Sequence, residues 1–248
     1  TRLMIRYLTM IACMTCVFGT LSLNSEEDDP GTTRVEAILS QLSEFFPNDT
    51  PIDLQQSPID NLYTVKIGSQ VFYVSDDGKY LINGDLYDTA SSENLTESER
   101  ENVRIDYLNS ISSSSMITFA PSEYQHTITI FTDIDCGYCR KFHQEIEEVL
   151  DQGIRVQYVF FPRSGPETDS WYKAQKVWCS DNRQQAITKA KLGEELSNKA
   201  CANDPVQDHY NLGLMFNVQG TPTMLTDKGE MIVGYMPAAT LRARLDSQ

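Results

Sequence analysis

The stretch from His126 to Pro162 reads as strand, helix, strand, and this constrains the chain more than any other feature. "HTITIFTDID" is rich in β-branched residues. "CRKFHQEIEEVLDQG" puts Phe142, Ile146 and Val149 on one helical face and stops at Gly153, and "IRVQYVFFP" is again β-rich. Two strands joined through a helix pair in parallel, by a crossover of one hand. Further helix is expected from about Thr168 to Phe216. "TPTMLTDKGEMIVGY" then reads as two short strands around an Asp-Lys-Gly turn, and a last helix starts at Ala238.

Cys136 and Cys139 sit where the first strand meets the helix. A CxxC at that junction places the first sulfur at the helix N-terminus, near unpaired backbone N–H groups and the positive end of the helix dipole. Both favour thiolate over thiol, so Cys136 becomes the attacking group, a solvent-reachable one. Cys139, one turn further in, is placed to resolve a mixed disulfide. The charges of Asp133 and Asp135 oppose the thiolate. Zinc ligation would want a second close pair of ligands, yet Cys179 and Cys201 stand far apart and no histidine lies at ligand spacing from either. A structural bridge is uncommon at a strand-helix junction. The redox reading is therefore preferred, with no metal and no cofactor. The order β-α-β, helices, β-β-α is thioredoxin-like, with a helical insertion.

The segment 1–24, "TRLMIRYLTMIACMTCVFGTLSLN", reads as a signal peptide: Arg2 and Arg6 precede an apolar run that Thr and Ser interrupt. A membrane anchor would need ~20 predominantly apolar residues. Removal of the leader would take Cys13 and Cys16 and leave four cysteines, an even number suited to an oxidising compartment. The net charge of −15, without a cluster of Lys and Arg, excludes nucleic acid as an expected partner.

Residues 25–90 read as a small helix-plus-sheet unit. A capping box, Thr33 with Glu36, opens a helix with Val35, Ile38, Leu39, Leu42 and Phe46 on one face, and Pro47 ends it. "LYTVKIGSQVFYVSDDGKYLINGDLYD" then carries hairpin signals. So small a unit gains from pairing with a second copy. Residues 91–115 read as a polar helical linker, opened by a second capping box of Thr96 with Glu99 and closed by a serine-rich hinge. Residues 116–248 form the domain that carries the cysteines.

"FTDIDCGYCRKFH", "YVFFPRSG", "WCSD", "DHYNLGLMFNVQGTPT" and "VGYMP" together resemble the bacterial periplasmic disulfide isomerase family of DsbC and DsbG. The likeness runs from about residue 30 to the C-terminus. It implies an α+β chain: a small cystatin-like dimerisation domain, a helical linker, and a thioredoxin-like catalytic domain with a helical insertion. It implies a V-shaped homodimer in the periplasm whose two redox sites face an apolar cleft, and a membrane reductase of the DsbD type that keeps them reduced. Misfolded secreted proteins with disulfides are the implied substrates. Gly137, Tyr138, Thr221 and Pro222 are the implied substrate-binding residues, with a cis bond before Pro222. Cys179 and Cys201 take the place of the family's second, non-catalytic disulfide. The implied activity is disulfide isomerisation, with reductase activity and chaperone-like binding; net thiol oxidation or reduction, or binding without chemistry, are the alternatives.

The other conspicuous side chains read as structural. His143, a turn beyond Cys139, is expected exposed, and His126 and His209 read as surface or capping groups. Trp171 and Trp178 suit core packing. Met215, Met224, Met231 and Met236 fill core gaps or soften a peptide-binding surface.

Overall fold

Alternation along the central strand organises the larger part of the molecule. In His126–Thr132, Ile128 and Ile130 face one side of the sheet, and Phe131 faces the other, all fully buried. Residues of one strand that are apolar on both faces call for cover on both sides, and the structure supplies it. The computed structural model describes residues 30–46, 50–198 and 201–248, so the expected signal peptide lies outside the described residues.

The chain begins with helix α1 (Pro30–Phe45) and an antiparallel sheet in the order β1 (Asp53–Gln56), β2 (Leu62–Ile67), β3 (Gln70–Ser75) and β4 (Leu81–Ile82). Ile38 and Leu42 of α1 pack on Val65 and Val74, a core of four buried side chains. Ile67 pairs with Gln70, so Gly68 and Ser69 make the tight turn that the sequence signals there. The helix starts at Pro30, ahead of the expected capping box at Thr33; proline suits a first helical turn because its missing N–H would be unpaired there.

Two residues of β5 (Tyr87–Asp88) pair with β6 (Glu93–Asn94), and α2 (Leu95–Ser110) follows. The N-cap is Asn94, whose side chain accepts the Glu97 N–H at 3.0 Å, and not Thr96 as the second capping box implied. Thr96 is buried: its hydroxyl shares a hydrogen bond with Tyr73 and accepts the Leu86 N–H. Tertiary partners have taken the hydroxyl that the local pattern assigned to a cap.

The linker helix is also less free than its polarity implied. Arg104 is buried, donating to the Gly229 carbonyl at 2.7 Å and to Glu97 at 2.7 Å, and Tyr107 meets the ring of Phe216 edge-on. Ser69 of the small sheet donates to the Met215 carbonyl at 2.7 Å. Through these contacts α2 and the small sheet rest on the larger domain.

That domain has a five-stranded sheet in the order β11, β10, β8, β9, β7. β8 (His126–Thr132) and β9 (Ile154–Phe160) pair in parallel, joined through α3 (Gly137–Gln144) and α4 (Ile146–Asp151). The expected single helix is thus two, parted at Glu145, whose carboxylate accepts the Tyr235 hydroxyl. β7 (Ile117–Phe119), absent from the sequence reading, adds antiparallel to β9 at one edge, and β10 (Thr223–Thr226) and β11 (Met231–Val233) form the expected hairpin at the other. Helices α5 (Asp169–Trp178), α6 (Arg183–Leu192) and α7 (Val206–Met215) make up the insertion, and α8 (Ala238–Asp246) closes the chain.

Gly229 turns the β10–β11 hairpin at φ +83°, and a Cβ there would lie 2.4 Å from the Glu101 carbonyl oxygen of α2. Both features admit only glycine. Gly229→Ala is expected to lower unfolding stability by about 1–3 kcal/mol and to raise proteolysis near Ile111, where α2 ends. Urea unfolding and limited proteolysis check it; unchanged values would mean that α2 is not held by this hairpin.

Candidate active site

Strand register brings three chain segments to one point. Thr223 pairs with Phe131, so the residues just before β10, Thr221 and Pro222, run beside those just after β8. Phe160 pairs with Thr132, and Phe161 donates to the Thr132 carbonyl, which brings Arg163 to the same end. Cys136 caps α3 from extended backbone, and Cys139 lies inside its first turn. The Thr221–Pro222 bond is cis.

Both cysteines are free thiols. The Cys136 Sγ lies 3.1 Å from the Thr221 carbonyl, to which the protonated sulfur donates. Once ionised, the sulfur finds donors on three sides. The hydrogen bond from the Cys139 thiol, followed by those from the Thr221 side chain and the Cys139 backbone, lowers the Cys136 pKa to about 5, against the opposing effect of burial. The Thr221 Oγ1 is buried and has no hydrogen-bond partner in the structure, which leaves it available to the ionised sulfur. Arg163 adds positive charge. Cys139 moves the other way: burial, and then its hydrogen bond to Cys136, push its pKa well above that of a free thiol. Environment alone sets the two sulfurs apart, one toward thiolate and the other toward thiol.

Cys136 is not the open thiol that its place at a helix end implied. Only 3% of the residue is exposed, because the loop before Pro222 covers the helix N-terminus. Exposure belongs instead to Gly137 and Tyr138. A Cβ at Gly137 would meet nothing within 4 Å, and Tyr138 is 64% exposed, its ring stacked on Tyr235 at 6.3 Å. Lys141 sits 4.3 Å from the centroid of Tyr235. The two tyrosines make an aromatic surface beside the covered sulfur.

The carboxylates beside the cysteines are neutralised locally. Asp133 is buried, accepts from Ser170, from the Arg163 backbone at 3.0 Å and from its guanidinium at 3.1 Å, and its pKa falls despite burial. Asp135 pairs with Arg140 at 2.9 Å and Lys173 at 2.7 Å. Neither acid is left to repel the thiolate unscreened.

Two histidines depart from expectation. His143 is buried between the Tyr158 hydroxyl at 3.0 Å and the Thr188 hydroxyl at 2.9 Å, and burial, with the charge of Lys191, lowers its pKa to about 3. It is neutral and lends no charge to the thiolate. His209 is buried as well, accepting the Phe160 N–H at 3.2 Å, with its pKa lowered by burial to about 4. Helical spacing placed both residues on α-helices, but the faces they share with neighbouring elements are set by packing. His126 remains near the surface, 2.7 Å from Asp246.

Cys179 and Cys201 are joined, linking the end of α5 to the segment before α7. No cluster of metal-ligating side chains exists among the described residues. The sequence reading missed Arg163, Ser170, Lys191 and Tyr235. Arg163 lay in view, just after a strand ending beside the motif; Lys191 had no local signal, since nothing in "RQQAITKAKL" marks that face of α6 as the buried one.

Two family models account for nearly the whole described chain: the disulfide bond isomerase N-terminal domain over residues 25–97 and a thioredoxin-like domain over residues 113–248. The thiol:disulfide interchange protein DsbC of Dickeya dadantii is 35% identical over 79% of this chain and 80% of its own length. The chain belongs to the DsbC family of thiol:disulfide interchange proteins. The DsbC proteins of Escherichia coli strain K12 (33% identical, over 78% of this chain and 80% of that protein) and Haemophilus influenzae (35%, over 84% and 88%) agree. Among solved structures, a disulfide interchange protein from Neisseria gonorrhoeae superposes with a TM-score of 0.50 at 27% identity, over 55% of this chain and 97% of that one. The chain is accordingly a thiol-disulfide oxidoreductase of the disulfide isomerase type, with a thioredoxin-like domain behind the family's N-terminal domain. Among the described residues no helix is long and apolar enough to cross a membrane.

Two outcomes follow from this geometry. Alkylation of the reduced protein should label Cys136 with a midpoint near pH 5: above it the thiolate persists and the rate is flat, below it the thiol forms and the rate falls. Thr221→Val should move that midpoint upward by about one unit, and preferential labelling of Cys139 would reverse the assignment. Replacing both Cys179 and Cys201 by Ala opens a loop with a sequence separation of 22. The double variant should lose about 3 kcal/mol in urea unfolding on the chain-entropy model while Cys136 alkylation stays unchanged.

Proposed function

We propose that Cys136 attacks wrong disulfides in secreted proteins and that Cys139 resolves the products. The observation that carries this is a free Cys136 sulfur at the N-cap of α3, against the Thr221 carbonyl, with its pKa lowered to about 5. At neutral pH it is a thiolate. It attacks one sulfur of a client disulfide, a Cys136–client bond forms, and the second client sulfur leaves as a thiolate. That thiolate attacks elsewhere in the client until a correct pair expels Cys136, with no net gain or loss of electrons. Where rearrangement stalls, Cys139 attacks the Cys136 sulfur and the client leaves reduced. Thr221 and Pro222, with Gly137 and Tyr138, border the sulfur and form the client-binding surface, an extended segment pairing with the backbone before Pro222.

The working form is a periplasmic homodimer joined through residues 25–90, with 91–115 as linker and 116–248 as the catalytic unit. The small core of the N-terminal sheet and its exposed edge strand β1 support pairing with a second copy. The leader-like segment 1–24 and the Cys179–Cys201 bridge support an oxidising compartment. An isomerase that starts from a thiolate needs a reductant, and a membrane reductase of the DsbD type fits that role. The acidic balance of the chain argues against nucleic acid.

Refolding of a scrambled multi-disulfide protein by the reduced enzyme tests the chemistry. Cys136→Ser should lose the rescue, whereas equal rescue by both would leave binding alone as the function. Sedimentation should find a dimer for the whole chain and a monomer for residues 113–248, with Cys136 still reactive in the fragment but shuffling largely lost. A monomeric full chain would refute the paired arrangement.

A further inference from the structure

Lys191 is a buried cation that the chemistry above does not use. It is 3% exposed, on α6, and its Nζ donates to the Thr132 hydroxyl at 2.8 Å and lies 3.5 Å from the Asp133 carbonyl. An ammonium carries three donors, and a buried one costs several kcal/mol unless anions or acceptors meet it. The packing of α3 on α6 shows what it faces. His143 and Thr188 are hydrogen-bonded across the two helices. Cys139 lies one turn before His143, and Lys191 one turn after Thr188, each on the same face as its partner. The Asp133 backbone, whose carbonyl lies near Nζ, also bonds the Cys139 sulfur. Lys191 and Cys139 therefore share Asp133 as a neighbour, and the charge of the ammonium reaches the Cys139 sulfur.

We propose that the Lys191 ammonium is the positioning charge for the resolving step, stabilising the thiolate that Cys139 must form before it attacks Cys136. The proposal rests on the reading of Cys139 as the resolving cysteine. Cys139 gives up its thiol proton to water, its thiolate attacks the Cys136 sulfur, the Cys136–client bond breaks, and the client sulfur leaves as a thiolate that takes a proton from water. One thiol and one mixed disulfide enter, and the Cys136–Cys139 disulfide and one free client thiol leave; Lys191 keeps its protons throughout.

Lys191 is the buried cation that acts on the Cys139 sulfur, and Arg163, nearer the surface, is the other charge that reaches it. Asp133, after β8, is an anion held by Ser170 and Arg163. From α3, His143 is neutral and Arg140 turns outward to Asp135 and the Ile134 carbonyl. From β9, Tyr158 is neutral, its pKa raised by burial and by Cys139, with its ring 5.7 Å from Nζ. Arg163 is half-exposed and committed to Asp133. Burial pulls the Lys191 pKa down to about 8, against the pull of Cys139, Asp133 and Cys136. Lys191 is thus charged at neutral pH and loses its charge in alkaline solution.

The test uses the full-length reduced protein mixed rapidly with oxidised glutathione, quenched with acid and read by mass. Formation of the Cys136–glutathione adduct and its resolution by Cys139 are timed separately. Lys191→Met and Lys191→Gln both remove the charge and shorten the side chain by only one atom, and circular dichroism identifies which of them folds. At neutral pH we expect resolution to slow about tenfold, and adduct formation to change by no more than about twofold. Above about pH 8 the gap from the wild type should close, because the wild-type lysine is then neutral too. A resolution rate unchanged at all pH values, or a slowing that persists undiminished in alkaline solution, would overturn the proposal, the second pointing to packing alone. Cys139→Ser serves as reference: if it resolves the adduct as fast as wild type, the role of Cys139 falls, and with a different result from the failure of Lys191.

Discussion

A sulfur that must hold a negative charge under cover needs donors aimed at it before the charge arrives, and the hydrogen bonds around Cys136 meet that need. Cys139, the Thr221 side chain and the first turn of α3 converge on one atom. The thiol form loses the comparison because its main acceptor, the Thr221 carbonyl, offers a single bond. Reactivity here follows from relative stabilisation of two protonation states, and the same bonds that lower one cysteine raise the other.

The fold supplies that convergence with little freedom left over. Parallel pairing of β8 with β9 demands a crossover, so a helix must begin just beyond the end of β8, and antiparallel β10 must deliver its preceding loop to the same edge. Apolar cover on both faces of β8 then prevents the strand from shifting register, since a one-residue slip would turn Ile128 and Ile130 to the wrong side. The site is therefore tied to the sheet beneath it, while Tyr138, stacked on Tyr235, stays exposed at its edge.

Charge near the sulfurs is arranged in balanced groups. Asp133 and Asp135 stand close to the motif, and each is answered by a cation from distant sequence, Arg163 after β9 and Lys173 on α5, while Arg140 of α3 pairs with Asp135 locally. The helical insertion thus contributes more than bulk, because α5 and α6 supply Ser170, Lys173 and Lys191 to the underside of the redox motif. An acidic chain can in this way hold an anionic sulfur without self-repulsion at the place where it matters.

The sequence by itself determined the β-α-β order, the hairpins after Leu62 and Thr223, the insertion of helices, and the two cysteines at a strand-helix junction. These are encoded in periodicity and turn chemistry, which act over a few residues. The resemblance pointed further, to Thr221, Pro222 and the Cys179–Cys201 pair, which no local pattern joins. Tertiary structure alone decided that Thr96 is not a cap, that His143 is buried and neutral, that Cys136 is covered, and that an unremarked lysine of α6 lies beneath Cys139. Each of these depends on which faces of two distant segments meet, and such meetings are settled by the packing of the whole core rather than by the residues on either side in the chain.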